Sequence, residues 1–291
     1  MEFRLTALAL VFAACAARPM SESSKEIRTT SADLPVRDGT LHFEHAGSGD
    51  ALVFIHGGFG DRRMWDEQFA AFADRYHVIR YDHRGFGRSS IPGAEYSPAK
   101  DLVALLDHLR VERAHLVGNS LGGTLAIDFA LLHPARVRSL VLVGTGPNGY
   151  AYPEDYLDRF RAVIATAERD LVEGVALWKA HPMIVAARER PDVWRTVEQM
   201  IDDNQRILRM EHWPGERLDP PAITRLGEIA VPALVVVGSR DEETMQRTAD
   251  VLAREIRGAH KLVLGGTDHL PQLEAPDAFN AALREFLAGQ E

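Results

Sequence analysis

Apolar residues along the chain form short runs that alternate with segments of helical period. The runs that predict strands cover residues 51–55, 77–81, 114–117, 137–143 and 231–237, and the helical segments cover 62–74, 98–109 and 121–132. Short apolar runs are typical of buried strands, whereas apolar residues that recur every three to four positions are typical of helices packed on a core. Their alternation predicts an α/β fold with a mostly parallel sheet and helices on both faces.

The alternation stops between about residues 148 and 227, where the pattern is helical, is interrupted by proline and contains no convincing strand. We therefore expect a helical insertion over residues 150–225, which divides the core into residues 35–149 and 226–291. The insertion contains these large apolar side chains: Trp178, Trp194, Trp213, Met183, Met200 and Met210. They form either a small core or, if the insertion lies over the strand ends, part of a pocket wall.

The first 20 residues differ in composition from the rest of the chain. Arg4 is followed by residues 5–14, which carry no charge. Because so short an apolar run cannot cross a bilayer of about 30 Å as a helix, residues 1–20 predict a secretion signal rather than a transmembrane anchor. Residues 21–34 are polar and predict a tether between this signal segment and the core.

Cys15 follows small residues in a setting that resembles the lipobox of bacterial lipoproteins, although Phe12 stands where that motif favours leucine. The resemblance implies export and a lipid anchor to a membrane through Cys15. Two alternatives stay open: cleavage after Ala16 or Ala17, and translation from Met20, which would leave a cytoplasmic protein.

Composition limits the chemistry of the remaining chain. The 291 residues carry a formal net charge of −9, which argues against nucleic acid because that partner requires clustered Lys and Arg. Cys15 is the only cysteine, so the body has neither disulfides nor a thiol nucleophile. No ligand cluster such as H-E-x-x-H is present, and we expect no metal and no cofactor. No feature of the sequence indicates a protein partner.

The stretch AHLVGNSLGGTLA, residues 114–126, places Ser120 between an apolar strand and an apolar helix. Gly118 and Gly122 flank it, and because glycine has no Cβ, strand and helix can approach closely while the serine hydroxyl is exposed at the strand end. This G-x-S-x-G pattern predicts a nucleophile. The alternative is that Ser120 only caps the helix.

A serine nucleophile requires a base and usually a carboxylate that orients the base. Asp241 follows the predicted strand 231–237, and His269 lies in a loop after the last apolar run, so both belong to the same sheet edge as Ser120. We predict catalytic roles for Ser120, His269 as base and Asp241 as acid, in the chain order typical of α/β-hydrolases. Three other carboxylates near them are expected to be solvated loop residues: Glu242, Glu243 and Asp268.

Hydrolysis also requires backbone N–H groups that stabilise a negative oxygen in the transition state. The Leu121 amide at the start of the helix is one predicted donor of this oxyanion hole. The stretch HGGF at residues 56–59 supplies the second, for which we favour Gly58, with Phe59 as the fallback. His56 is interpreted as a residue that braces this loop.

The stretches HGGFGDRRMW, YDHRGFGRSS, GNSLGG, GSRD and DHLPQLEAP together resemble the α/β-hydrolase superfamily over residues 39–287. The chain is most similar to lidded serine hydrolases such as 3-oxoadipate enol-lactonases and carboxylesterases. The resemblance implies an eight-stranded, mostly parallel sheet with a helical cap at 150–225, a small ester or lactone substrate, and a structural role for Asp82, Arg84 and Gly85. Asp268 departs from the family, where glycine is common, and its charge is expected to raise the basicity of His269.

Three other functions are compatible with parts of the sequence. Carbon–carbon bond hydrolysis of ring-cleavage products is the first alternative, and a ligand-binding member of the fold without catalysis is the second. The third is dinucleotide binding, because the stretch GTGPNG at 144–149 matches a dinucleotide fingerprint. However, Pro153 follows, and no strand that ends in an acidic residue comes about twenty residues later.

A dianionic substrate would require an inward-facing cation. The arginines available in the insertion have a spacing that suits a solvated helix face at least as well: Arg159, Arg161, Arg188, Arg190, Arg195, Arg206 and Arg209.

Overall fold

A computed structural model of the protein describes residues 28–92, 96–210 and 218–290. The predicted signal segment with Cys15 and Met20, the first part of the predicted tether and Trp213 lie outside the described residues.

The described strands form one eight-stranded sheet, which confirms the predicted α/β-hydrolase fold. The strands are β1 (Thr30–Val36), β2 (Gly39–Ala46), β3 (Ala51–Ile55), β4 (His77–Tyr81), β5 (Ala114–Asn119), β6 (Val137–Val143), β7 (Ala233–Gly238) and β8 (His260–Leu264). Their order across the sheet is β1-β2-β4-β3-β5-β6-β7-β8. The pairs β1/β2 and β2/β4 are antiparallel, and the other neighbours are parallel. Every residue of β3, β5 and β7 is buried, which explains why these strands appear in the sequence as continuous apolar runs.

The described α-helices are α1 (Asp66–Phe72), α2 (Pro98–His108), α3 (Leu121–Leu132), α4 (Glu154–Arg169), α5 (Leu171–Lys179), α6 (Val185–Arg188), α7 (Pro191–Asp203), α8 (Glu243–Glu255), α9 (Pro271–Glu274) and α10 (Pro276–Ala288). Short 3-10 helices cover Arg62–Trp65, Pro134–Arg136, Pro182–Ile184, Gln205–Arg209, Ala222–Thr224 and Leu226–Glu228. None of the helices within the described residues is long and apolar enough to cross a bilayer.

Local sequence explains most element boundaries. The predicted strands 51–55, 77–81 and 137–143 have the predicted bounds. The predicted strand 231–237 begins later, at Ala233, because Pro232 has no N–H for the ladder. Helix α2 begins at Pro98. Ser97 caps its N-terminus, because the Ser97 hydroxyl accepts a hydrogen bond from the Lys100 N–H at 3.1 Å.

The predicted tether, residues 21–34, extends too far, because its last residues belong to β1. This strand begins at Thr30, so residues 30–34 belong to the sheet. Leu34 is buried against the core, whereas Ser31 and Asp33 on the opposite face are exposed. An edge strand with one polar face has too few apolar residues to be distinguished from a tether by composition.

Helices α4 to α7, together with the 3-10 helices Pro182–Ile184 and Gln205–Arg209, form a cap that packs on loops at the carboxyl ends of the strands. Arg206 of the cap donates hydrogen bonds to three carbonyls of the turn after β4, at 2.8, 3.0 and 3.1 Å, those of Gly85, Gly87 and Ser89. Arg159 on α4 pairs with Glu242 in the loop after β7. The Arg190 guanidinium joins the Ala186 carbonyl of α6 to the Gly266 carbonyl after β8, at 2.9 and 3.0 Å.

Candidate active site

Ser120 lies on the sharp turn between β5 and α3, with φ of 51° and ψ of −116°. A positive φ is strained for a residue that has a Cβ, and such strain is typical of functional sites. Glycine at position 122 is required here, since a Cβ would lie 2.3 Å from the Ile55 carbonyl oxygen. The Ser120 side chain makes no capping hydrogen bond to α3, which argues against the simple helix-cap interpretation.

His269 lies in the loop between β8 and α9, and Asp241 follows β7. The buried Asp241 carboxylate accepts a hydrogen bond from His269 Nδ1 at 3.1 Å. The other ring nitrogen, Nε2, is buried and has no hydrogen-bond partner among the described residues. His269 and Ser120 line the same cavity. The structure therefore brings the three sequence-predicted residues to one edge of the sheet.

The electrostatic surroundings of His269 favour its protonated form. Burial lowers its pKa, but the charge of Asp241, the hydrogen bond with Asp241 and the charge of Asp268 together outweigh burial. The pKa of His269 is therefore raised above its usual value, and the imidazole becomes a stronger base.

Asn119, a residue that the sequence interpretation missed, joins the serine turn to the histidine loop. Its side-chain amide donates to the His269 carbonyl at 3.0 Å and to the Val143 carbonyl at 3.3 Å. Its position directly before Ser120 was the only available sequence signal. The amide fixes the histidine loop relative to β5 and β6.

The two predicted oxyanion donors, Gly58 and Leu121, both line the cavity. Neither amide donates to a backbone carbonyl within the described residues, so both are available to a ligand. Phe59, the fallback donor, has φ of 60°, and its ring lies against the cap.

His56 braces the loop that carries Gly58, as predicted. It is fully buried, and its Nε2 accepts a hydrogen bond from the His83 N–H at 2.9 Å. Burial lowers the pKa of His56 and keeps the ring neutral.

The residues of the turn motif after β4 have structural contacts. Asp82 accepts hydrogen bonds from the Arg62 and Arg88 amides at 2.8 and 2.9 Å. Arg84 forms a buried ion pair with Asp101, with a shortest distance of 2.7 Å. Gly85, with φ of 96°, turns the chain where its carbonyl binds the cap.

The cavity has a volume of about 150 Å³ and lies between the core loops and the cap. The cap contributes Tyr156, Phe160, Trp178, Met183, Ile184, Val197, Met200 and Ile201 to its wall. No Asp, Glu, Lys or Arg within the described residues lines it. Trp178, Met183 and Met200 are thus part of a pocket wall, whereas Trp194 and Met210 are not.

None of the cap arginines lines the cavity, and all of those named above except the exposed Arg209 form structural contacts among the described residues. Arg188 donates to the Lys179 carbonyl at 2.6 Å, and Arg161 and Arg195 form exposed ion pairs within their own helices. Arg159, Arg190 and Arg206 bind loops of the core, as described above. The described cavity wall therefore contains no Lys or Arg.

Two carboxylates expected to be solvated are buried or paired instead. Asp268 is only 1% exposed, because N–H groups satisfy its carboxylate: its Oδ1 accepts from the His269 amide at 2.6 Å. Glu242 is partly buried, and Arg159 neutralises it. Glu243 is exposed and pairs with Arg247, as expected of a surface residue.

The structure explains why the GTGPNG stretch begins with a glycine, Gly144. It has φ of 51°, and a Cβ there would lie 3.0 Å from His269 Nδ1. The glycine therefore provides space for the imidazole, a requirement unrelated to dinucleotide binding. No group of His, Cys, Asp and Glu within the described ranges is arranged to hold a metal ion.

The sequence of the chain is similar to sequences of known proteins. A family model described as the alpha/beta hydrolase fold matches residues 50–171. The 2-hydroxy-6-oxononadienedioate/2-hydroxy-6-oxononatrienedioate hydrolase of Burkholderia vietnamiensis is 30% identical over 282 residues, which cover 87% of this chain and 93% of that protein. The chain belongs to the α/β-hydrolase fold family.

Solved structures of this α/β-hydrolase family are similar along most of the chain. The enol-lactonase of Burkholderia xenovorans LB400 superposes with a TM-score of 0.74 at 26% identity, covering 88% of this chain and 100% of that one. Est816, described as an N-acyl homoserine lactone degrading enzyme, gives a TM-score of 0.72 at 29% identity, with coverage of 88% and 100%. The protein is a hydrolase of esters, lactones or related substrates.

Proposed function

We propose that the protein hydrolyses a small, neutral carboxylic ester or lactone through an acyl-enzyme on Ser120. The observation that supports this most strongly is that Ser120 and His269 line the same cavity. Nε2 of His269, the atom that must accept the serine proton, has no hydrogen-bond partner among the described residues. The hydrogen bond from Nδ1 to Asp241 leaves the lone pair of the neutral ring on Nε2.

In the proposed mechanism, Ser120 Oγ attacks the carbonyl carbon while its proton passes to His269 Nε2. The Gly58 and Leu121 amides stabilise the negative oxygen of the tetrahedral intermediate. His269 then protonates the leaving oxygen, which departs as an alcohol or, in a lactone, stays attached to the acyl chain. Water then attacks the acyl carbon and gives a proton to His269. His269 returns this proton to Ser120 Oγ as the acyl bond breaks, which releases the acid and restores the serine.

The cavity wall supports the choice of substrate class. A volume of about 150 Å³ corresponds to a group of roughly the size of a benzene ring, so a short or cyclic acyl group fits. An anionic group would be desolvated against an apolar wall without a compensating cation, which is unfavourable. Tyr156 also lines this wall, and its hydroxyl forms long hydrogen bonds with Met183 Sδ at 4.0 Å and Met245 Sδ at 3.9 Å.

A substrate panel tests the proposal. Wild-type protein is assayed with short and medium acyl esters, neutral lactones, muconate-type enol-lactones and a dienone with a scissile carbon–carbon bond. Labelling by a fluorophosphonate first reports whether Ser120 is reactive. We expect the neutral esters or lactones to have the highest kcat/KM. A preference above about tenfold for the enol-lactone, some 1.4 kcal/mol of transition-state stabilisation, would contradict the neutral-cavity argument.

Carbon–carbon bond hydrolysis is the second candidate, because the Burkholderia vietnamiensis relative is named as a hydrolase of dienedioates and trienedioates. Those names describe dianions, whereas the described cavity wall carries no cation. Turnover of the dienone without turnover of any ester would favour this second candidate.

We also propose that the chain is exported and held at a membrane by lipid on Cys15. Several acyl chains on one N-terminus would give firm anchoring, whereas a single chain anchors only marginally. Mass spectrometry of the membrane fraction should find a mature N-terminus at acylated Cys15, and Cys15→Ser should move the protein to the soluble fraction. An unmodified chain that starts at Met20 would exclude export.

A further inference from the structure

Asp268, the residue before the candidate base, binds two parts of the fold with one carboxylate. Its Oδ1 accepts from the His269 amide at 2.6 Å, and its Oδ2 accepts from the Ala186 amide in α6 at 2.5 Å. With 1% exposure, the carboxylate has little contact with water that could replace either donor. The backbone of the base and the first turn of a cap helix are thus joined through a single side chain.

The histidine loop is fixed from the core side by Glu274 of α9. Its Oε2 accepts from the Asp268 amide at 2.7 Å, and its Oε1 accepts from the Leu270 amide at 3.3 Å. The amides of residues 268–270 therefore all donate to side-chain carboxyl groups, one of which, that of Asp268, also binds the cap. Arg190 also links α6 to this loop, at the Gly266 carbonyl. Among the described residues, however, Asp268 is the side chain that hydrogen-bonds both α6 and the His269 amide.

Other contacts join the cap to neighbouring loops without touching His269. Arg240, next to Asp241, forms an ion pair with Glu189 of the cap, with N–O distances of 2.6 and 2.8 Å. Both side chains of this ion pair are partly exposed, Arg240 at 41% and Glu189 at 52%. Glu189 therefore offers a matched control, a cap carboxylate whose loss loosens the cap but removes no hydrogen bond from the base.

We propose that Asp268 is a positioning residue that makes the alignment of His269 depend on the seating of the cap; this role rests on the hydrolytic function proposed above. When α6 is seated, Asp268 holds the His269 backbone where the imidazole reaches Asp241. When α6 moves away, the carboxylate loses its Ala186 donor and the loop gains freedom. A misplacement of about 1 Å in a reacting group can cost on the order of 10²-fold in rate.

The test compares Asp268→Asn with Glu189→Gln, using p-nitrophenyl acetate, a substrate small enough to need little of the cap. For Asp268→Asn we expect kcat to fall by about 10- to 100-fold, with KM within about threefold of wild type. For Glu189→Gln we expect kcat within about twofold, with any change appearing in KM. Hydrogen exchange should accelerate at residues 183–190 and 266–270 together in Asp268→Asn, but only at 183–190 in Glu189→Gln.

A folded Asp268→Asn protein that retains kcat within about threefold would overturn the positioning role, as would exchange that accelerates in only one of the two segments. If this variant does not fold, the double variant Asp268→Asn/Glu274→Gln provides an uncharged pair of similar shape, to which the same criteria apply. Failure of the proposed function is distinguishable, because wild-type protein would then show neither ester turnover nor labelling of Ser120. The exchange measurement does not depend on turnover.

Discussion

Phe59 stacks on Trp178 with 4.2 Å between the ring centroids and 19° between the ring planes. The loop that carries the candidate oxyanion donor Gly58 therefore packs directly on the cap. Both rings also line the cavity, so the same contact limits the space for substrate.

Replacing Trp178 should change the acyl length that the enzyme prefers. Trp178→Ala removes the ring that closes the cavity, and we expect the ratio of kcat/KM for hexanoate over acetate p-nitrophenyl esters to rise by about tenfold. The buried ring also contributes to packing, so the free energy of unfolding should fall by about 3 kcal/mol. Trp194→Ala, in the cap but outside the cavity wall, is the control and should leave the ratio unchanged.

Ser120→Ala should abolish ester hydrolysis without loss of folding. We expect a decrease of about 10⁴ to 10⁶ in kcat, because the three residues act as a unit. Thermal unfolding followed by circular dichroism should match wild type, since the side chain makes no capping bond. Residual activity within about tenfold of wild type would remove Ser120 from the nucleophile role.

Asp241→Asn should lower kcat by about 10⁴, because the amide favours the wrong tautomer of His269. Asp268 bonds the backbone of His269 rather than its ring, so Asp268→Asn should cost less under the same assay. If Asp268→Asn were the more damaging change, the identity of the orienting acid would have to be revised.

The pH dependence of catalysis should reflect the raised pKa of His269. A base must be neutral, so kcat/KM should fall as the pH decreases through this pKa. We expect the midpoint of the acidic limb above the usual histidine value of about 6.5. The charges that raise it are those of Asp241, Asp268 and Glu242. A midpoint below about 6, measured from kcat/KM between pH 5 and 9, would contradict the electrostatic description.

Glu274 should make folding less favourable as the pH rises. Burial, together with the neighbouring Asp268 carboxylate, raises the pKa of Glu274 to about 9. The unfolded chain releases this proton near pH 4.3, so from about pH 4 to 9 the folded state binds more protons and this group lowers stability with increasing pH.

Glu274→Gln removes that titration. The Tm of the variant relative to wild type should increase from pH 5 to pH 8, because only the wild-type protein loses stability through this group as the pH rises. Glu285→Gln on the exposed surface of α10 makes the same change in charge and serves as the control. A constant Tm difference between Glu274→Gln and wild type across this range would show that Glu274 is ionised in the folded protein.

Sequence predicted the residues whose place follows from local pattern. Ser120, Asp241 and His269 each follow an apolar strand, so a parallel sheet brings them to one edge without further information. The burial of Asp268 could not be predicted, because it depends on an N–H donor at Ala186, far away in the sequence. Strand β1 was missed for a similar reason, since pairing with β2 rather than its own composition stabilises it.

Arg206 donates to three main-chain carbonyls in the turn after β4 and so helps to fix one end of the cap. Main-chain acceptors require no particular side chain, although the turn must keep Gly85 and Gly87, which have positive φ. The apolar side chains of the cavity wall can then be substituted while Arg206 and the contacts of α6 keep the cap attached. Directed evolution of substrate range should therefore concentrate on α4, α5 and α7 and leave Arg206 intact.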